Sequence, residues 1–471
     1  MRIHNVRLGF ANNSSSTHSL ILLDVAGSLK TDEDRRFGWD YFTAADARSK
    51  DHYLALVMRD SLSGLGPEER AQVVAELFPD LPRGELDDVL ADGYVDHQSR
   101  WSMPRDWGGG WPDREFAADF RRYLADPRIA ILGGNDNGGD VRAHPNAGAG
   151  RLFDVGLPTW GAPVARKDSG AWTLFNRDTG AKVRFDFGGG PPPVRASAPE
   201  LVDVKITGHC TFGCAYCYQA STPAGVHAPF ARLEAVADWL AAARVFEVAL
   251  GGGEPTLHPD FPRVLEAFRD RGVVPNFTTR NLAWLRNESL ADRIQGACGS
   301  YAVSVDGPDD VRRVAAAVGL RKRQGPSVQV VVGSGADVAG VLQAAWDARL
   351  PVTLLGFKRV GFGAAFPAVE EDWVATYERA EAASLAAQRL AGAAHAFFRP
   401  RLSIDTALAA GSEAALERLG VPAVLYGVEE GKFSMYLDAV AMRAGPSSYC
   451  AEADYRPVAT QDDLLAAFRS W

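Results

Sequence analysis

The sequence predicts an α/β protein built around a parallel sheet with helices on its outside. Three observations carry that expectation. Between residues 202 and 356, short apolar runs alternate with amphipathic stretches, as strand–helix units joined by crossovers do. A Gly188-Gly-Gly-Pro-Pro-Pro193 stretch precedes that region and reads as a linker. Past Gly356 the alternation loosens. The expected organisation is an N-terminal α+β domain over residues 1–190, the regular core over 197–360, and a helical and β-hairpin extension over 361–471.

In the N-terminal region, Leu20–Leu23 reads as a strand, and Tyr41–Leu62, Pro67–Leu77 and Arg114–Leu124 as helices. The last repeats Phe116, Phe120 and Leu124 every four residues. Arg128–Leu132 reads as a strand running into the Gly133–Gly139 loop. Ala171–Asn176 and Lys182–Phe187 form an expected hairpin around Asp178-Thr-Gly180, with Val183, Phe185 and Phe187 alternating as in a half-buried strand. In the core the expected strands are Val202–Thr207, Val245–Leu250, Val274–Thr278, Tyr301–Val305, Val328–Val332 and Val352–Gly356. Between them, Leu233, Val236, Ala237 and Leu240 keep helical spacing, as do Phe261, Val264, Leu265 and Phe268, and Val338, Val341, Leu342 and Ala345. Six such strands fit a partial barrel or an open doubly wound sheet, and spacing alone does not choose. In either, ligands lie at the carboxyl ends of the strands. Beyond the core, Glu370-Glu-Asp372 opens a helix to about Ala394. Lys432–Asp438 and the segment to Cys450 read as a β-rich element, and Leu464–Phe468 as a closing helix.

The 471 residues are long enough for a large core, and 46% hydrophobic content excludes collagen-like and wholly disordered classes. With 50 Lys+Arg against 59 Asp+Glu the net charge is −9, which argues against general binding of nucleic acid or an anionic membrane. The first residues lack the unbroken apolar run of a signal peptide, and no stretch approaches the roughly 20 apolar residues of a membrane span. A cytoplasmic, reduced protein is expected. Five cysteines are too few and too unevenly placed for a disulfide framework.

Three of the five lie within eight residues, Cys210-Thr-Phe-Gly-Cys214-Ala-Tyr-Cys217, directly after the first core strand. Three thiolates in one loop can hold a metal centre at the ligand-binding face. A structural zinc site needs a fourth ligand, from His209, Cys298 or Cys450. A four-iron cluster with three protein ligands instead leaves one iron open. The spacing CxxxCxxC, with Tyr216 as the aromatic residue before the last Cys, resembles the signature of the radical S-adenosylmethionine (SAM) superfamily. Gly252-Gly253-Glu254-Pro255, at the end of the second core strand, is similar to that family's GGEP motif.

The resemblance implies a partial (β/α)6 barrel, a [4Fe–4S] cluster on Cys210, Cys214 and Cys217, and SAM on its open iron. It implies reductive cleavage of SAM to a 5′-deoxyadenosyl radical, hydrogen abstraction from a substrate, and an electron donor such as flavodoxin or ferredoxin. Tyr216, Gly252, Gly253, Glu254, Pro255, Ser304 and Asp306 are the implied SAM contacts. Thr278-Thr-Arg280-Asn281 and Gly333-Ser-Gly335 end further strands at the same face. Lys358 and Arg359 either present cations to a substrate carboxylate or are solvated surface charges. The large N-terminal region and the late hairpin point to a peptide substrate, as in maturases of ribosomal peptides. A small metabolite or nucleoside is the enzymatic alternative, and a metal-stabilised binding protein the other. Cys298 and Cys450 are too few for a second Cys-ligated cluster. Each is either an incidental thiol or, for Cys450, a hydrogen-atom donor to a substrate radical, by analogy with radical peptide epimerases. Asn12–Ser19 reads as a polar turn or a substrate loop, and Arg321-Lys-Arg323 as a helix-end charge run.

Overall fold

The computed structural model describes residues 2–7, 21–25, 29–31, 35–38, 40–95, 103–105, 107, 113–133, 144–153, 163–188, 193–318, 326–390, 402–421, 426 and 430–471. Asn12–Ser19, Arg321–Arg323, the loop beyond Gly133 and the middle of the Gly/Pro linker lie outside the described residues. The chain divides into two compact units, Met1–Pro193 and Val194–Trp471.

The first unit holds two four-stranded antiparallel sheets. One orders Arg2–Arg7, Lys182–Asp186, Ala171–Phe175 and Val164–Asp168; the other orders Phe42–Ala44, Ile129–Gly133, Ile21–Val25 and Gly150–Phe153. Its core is aromatic, with Phe116 edge-on to Trp172 at 5.1 Å and Phe37 edge-on to Tyr53 at 5.3 Å. Two expectations need correction here, and one element is added. Tyr41–Leu62 is not one helix: Phe42–Ala44 pairs as a strand with Ile131–Gly133, and the helix starts only after Asp46. The Asp46 carboxylate accepts from Ser49 N at 2.9 Å, which satisfies an otherwise orphan donor of the first turn. The strand Lys182–Asp186 is not half-buried, because its polar residues are as buried as Val183 and Phe185. A further helix, Arg83–Asp92, was not signalled by its sequence, where only Leu86 and Val89 are buried.

The second unit is labelled separately. Its strands are β1 Leu201–Thr207, β2 Glu247–Gly252, β3 Val274–Thr279, β4 Ser300–Ser304, β5 Ser327–Val331, β6 Val352–Leu355, β7 Leu402–Ile404, β8 Ser434–Asp438, β9 Arg443–Gly445 and β10 Arg456–Pro457. Its helices are α1 Phe230–Ala242, α2 Phe261–Asp270, α3 Glu288–Ala297, α4 Pro308–Val318, α5 Val338–Asp347, α6 Trp373–Leu390, α7 Thr406–Ala409, α8 Glu413–Arg418 and α9 Gln461–Ser470. The sheet order is β7-β6-β5-β4-β3-β2-β1-β8-β9-β10, parallel from β7 to β8 and antiparallel beyond. All six expected strands are present. Two more parallel strands join from beyond Gly356: β7 beside β6 and, after a long return, β8 beside β1. The expected late hairpin is β8–β9. Glu370–Asp372 precede α6 rather than forming its first turn, and Asp372 accepts from Ala375 N at 3.0 Å.

Along β1, Val202, Val204 and Ile206 are buried in the core that also holds Leu233, Val236, Ala237 and Leu240 of α1. Each such side chain contributes about 1.5–3 kcal/mol through burial. The alternate residues, Asp203 and Lys205, therefore face away from the helices. That face is enclosed by curvature. Eight flat strands at about 4.8 Å spacing would put β7 and β8 roughly 34 Å apart. Instead Thr406 Oγ1, just past β7, donates to Glu430 Oε1, just before β8, at 2.7 Å. The parallel run curls into a partial barrel whose helix-free face lines the interior.

Candidate functional site

The cysteine loop leaves β1 at its carboxyl end. Cys210 N donates to Thr222 O at 3.0 Å and Cys217 N to Cys214 O at 3.1 Å, so the loop folds back on itself. Gly213 has φ +65°, and a Cβ there would meet nothing within 4 Å, so the loop is open at this point. The three thiols are half-buried and belong to no disulfide. Burial pushes the Cys210 and Cys214 thiols up, with Cys217 adding to both. A single-turn 3-10 helix, Gly361–Ala364, clamps the loop's end: Phe362 N donates to Cys217 O at 2.9 Å. Gly361 is needed there, since a Cβ would stand 2.4 Å from Tyr218 O. That clamp has no signal in the local sequence pattern.

The GGEP segment ends β2 against the same loop. Gly252 has φ +112°, and its Cβ would stand 2.3 Å from Thr207 O; a Cβ on Gly253 would stand 2.1 Å from His209 O. Both glycines thus permit a close approach between two protein backbones. Glu254 is buried and accepts four hydrogen bonds: on Oε1 from Thr256 N (3.2 Å), Thr256 Oγ1 (2.6 Å) and Thr279 Oγ1 (2.6 Å), and on Oε2 from Arg280 N (2.9 Å). It ties the end of β2 to the end of β3. Pro255 is buried at the start of the following turn.

Arg280, Asp306 and Tyr216 form a second network. Arg280 Nη1 and Nη2 donate to the two Asp306 oxygens at 2.6 and 2.8 Å, and Tyr216 OH donates to Asp306 Oδ1 at 2.6 Å. Arg280 Nη2 also donates to the Tyr216 hydroxyl oxygen at 2.6 Å. Burial opposes charge on Asp306, but Arg280 and Tyr216 outweigh it and hold the carboxyl below its ordinary value. Burial likewise pushes the Tyr216 phenol up. Cys214, Tyr216, Arg280, Asp306, Ser334 and Gly335 are among the residues around a cavity of about 420 Å³.

The implied residues do not all meet there. Ser304 Oγ accepts from Gln329 Nε2 at 2.9 Å and is not among the cavity's lining residues. Arg359 is exposed, whereas Lys358 turns inward. Cys298 is buried at the end of α3, where burial pushes its thiol up to about 12. Cys450 packs against β9, 2.7 Å from where a Gly445 Cβ would lie, and its thiol bonds the Tyr455 side chain. It is joined to the cysteine loop only indirectly, through Tyr455 edge-on to Tyr436 at 6.2 Å and Tyr436 OH donating to Gln219 Oε1 at 3.1 Å.

The donor set fits an iron–sulfur cluster. Three thiols on one loop, with free space at Gly213 and a cavity beside Cys214, leave room for a fourth, non-protein ligand. No described helix is long and apolar enough to cross a membrane.

A radical SAM domain is present in this chain: residues 204–330 match the family model of the Radical SAM superfamily. That match covers 127 of the 471 residues and does not define a reaction subclass. No curated protein matches it in sequence. Among solved structures it is similar to Streptococcus suis SuiB bound to S-adenosylmethionine, at 12% identity and TM-score 0.38 over 54% of this chain and 61% of that one. It is also similar to SuiB bound to precursor peptide SuiA, at 11% identity and TM-score 0.42, covering 88% of this chain and 83% of that one. Native anSMEcpe with bound AdoMet is similar at 16% identity and TM-score 0.41, covering 57% of this chain and 81% of that one.

Proposed function

We propose that the protein binds a [4Fe–4S] cluster on Cys210, Cys214 and Cys217, cleaves SAM reductively, and modifies a peptide. The observation that carries the reading is the three-thiol loop at the carboxyl end of β1, opening on the cavity beside Tyr216, Arg280 and Asp306. The cluster, once bound, supplies the electron that splits SAM, and SAM supplies the carbon that abstracts hydrogen. The protein's part is placement. Glu254 and its four donors fix where the GGEP backbone stands against the cysteine loop. Arg280 holds Asp306 ionised and Tyr216 fixed at the rim of the cavity, where a charged ligand meets oriented donors and acceptors. Gly252, Gly253 and Pro255 at the end of β2 and Ser304 at the end of β4 are further proposed SAM contacts, although none of them lines that cavity. The peptide reading rests on the separate N-terminal unit and on the β8–β9 hairpin beside the barrel. Cys450, bonded to Tyr455, is the candidate hydrogen-atom donor.

Anaerobic reconstitution tests the core of the proposal. The expected result is about four irons per chain and formation of 5′-deoxyadenosine from SAM and dithionite, both lost in a Cys210→Ala, Cys214→Ala, Cys217→Ala triple variant. Stable zinc occupancy with no SAM cleavage would overturn it. The peptide reading is tested by the mass change of a short peptide encoded beside the enzyme. Turnover undiminished in Cys450→Ala removes the donor role.

A further inference from the structure

The barrel interior holds more charge than the cysteine site uses. Asp203 on β1 faces the interior by strand alternation and is largely but not wholly buried. Its carboxylate makes no hydrogen bond or ion pair with any described residue. Lys358 enters the same space from the loop after β6. Its ammonium lies 4.6 Å from the Tyr218 ring and 4.9 Å from the Tyr449 ring, and its single hydrogen bond is a long one, 3.4 Å to Ser448 Oγ. It forms no ion pair within 4 Å of Asp203.

Three further carboxylates bear on Asp203: Glu247, Asp405 and Glu430. Each is already engaged. Asn276 Nδ2 donates to Glu247 at 3.0 Å, Gly356 N and Leu408 N donate to Asp405 at 2.8 and 2.9 Å, and Thr406 and Tyr449 hydroxyls donate to Glu430 at 2.7 and 2.6 Å. Asp203, Asp405 and Glu430 thus all bear on Lys358, while Lys205 on the same face of β1 is paired with Asp438, and Asp203 is the one of these carboxylates without a hydrogen-bond partner. Burial ordinarily drives a lysine toward neutrality, yet Lys358 is pushed above its ordinary value by Tyr218, Asp405, Asp203 and Glu430. The field remains negative even beside the cation.

We infer that the barrel interior is a subsite for a positively charged substrate group, an alkylammonium or guanidinium, received by Asp203. The inference rests on the proposed function, since it takes the interior as the place where substrate binds. A buried carboxylate without a partner is costly in the empty site, and a substrate cation supplies the missing charge and hydrogen bonds together. Tyr436, the β8 residue paired in register with Asp203, adds an aromatic wall of the kind that favours cations.

The test is binding of two small probes to the reconstituted enzyme with SAM, followed by calorimetry or saturation-transfer NMR. The probes are N-acetyl-lysine N-methylamide and N-acetyl-norleucine N-methylamide, near-equal in shape and different in charge. The lysine probe should bind at least about tenfold more tightly, the scale of one charge-assisted hydrogen bond. Asp203→Asn should abolish the preference, and Lys358→Met, which removes the competing cation, should strengthen lysine binding. The last change is a gain, so misfolding cannot mimic it. Equal or absent binding of the two probes, a preference surviving Asp203→Asn, or weaker lysine binding by Lys358→Met overturns the inference. Formation of 5′-deoxyadenosine by the unaltered enzyme is read separately: SAM cleavage without cation preference sinks only the subsite, and absence of SAM cleavage sinks the proposed function.

Discussion

Glu254 has four donors on one buried carboxylate, and so it is the residue whose loss the site tolerates least. Glu254→Ala leaves the Thr256 and Arg280 amides and the Thr256 hydroxyl without their acceptor, whereas Thr279 Oγ1 keeps Asn281 O at 3.2 Å. The expected cost is about 2–4 kcal/mol, read as a lower urea midpoint of the apoprotein. Asp203 carries a prediction of the opposite kind. Burial, with Glu430, Asp405 and Glu247 adding and Lys358 opposing, raises its carboxyl from 3.8 to about 6. Between those values the folded chain holds a proton the unfolded chain has released. Stability from this residue is therefore fully present below about pH 4, falls as pH rises to about 6, and stays lower above. A shift of that size corresponds to about 3 kcal/mol. Asp203→Asn should erase this part of the pH profile, so that the variant is the more stable protein at pH 7 in chemical denaturation; an unchanged profile would contradict the assignment.

At the scale of elements, the site depends on short pieces with little local signature. The 3-10 helix Gly361–Ala364 is an example, and Gly361→Ala tests it. The substitution combines a positive φ with a Cβ 2.4 Å from Tyr218 O, both on backbone that cannot swing away. We expect a loss of at least about 1–3 kcal/mol and fewer irons retained per chain after reconstitution. The elements legible in the sequence were those with strong periodicity: the apolar runs of β1 to β6, and the i, i+3, i+4, i+7 spacing of α1, α2 and α5. Leu402–Ile404 was not legible, because three residues of partly exposed strand carry no alternation to read. Ser434–Asp438 was legible as β structure, but its partner was not, since pairing with β1 joins residues more than two hundred positions apart. The cysteine triplet and Gly252–Pro255 were legible for the converse reason, being motifs of fixed local spacing. The Arg280–Asp306 fork and the four donors on Glu254 exist only once strand ends are brought together.

At the scale of the whole second unit, the sheet extends well past the stretch that the sequence marks as regular. Removing residues 361–471 would strip β8 from β1 and β7 from β6, exposing unpaired strand edges on both sides. A fragment spanning 194–360 is expected to aggregate or to lack a cooperative thermal transition, whereas 194–471 should show one by circular dichroism. The partial barrel also closes in an unusual way for a sheet. No described main-chain ladder joins β7 to β8; the ends meet through Thr406 on Glu430, and Lys358 in the loop after β6 reaches Ser448 past β9. Each such bond is worth about 1 kcal/mol net, far less than unzipping two paired strands. A closed ring can be entered only by threading a free end. A ring fastened by two side-chain latches needs only those bonds to part for the middle of a long chain to pass without its ends ever entering.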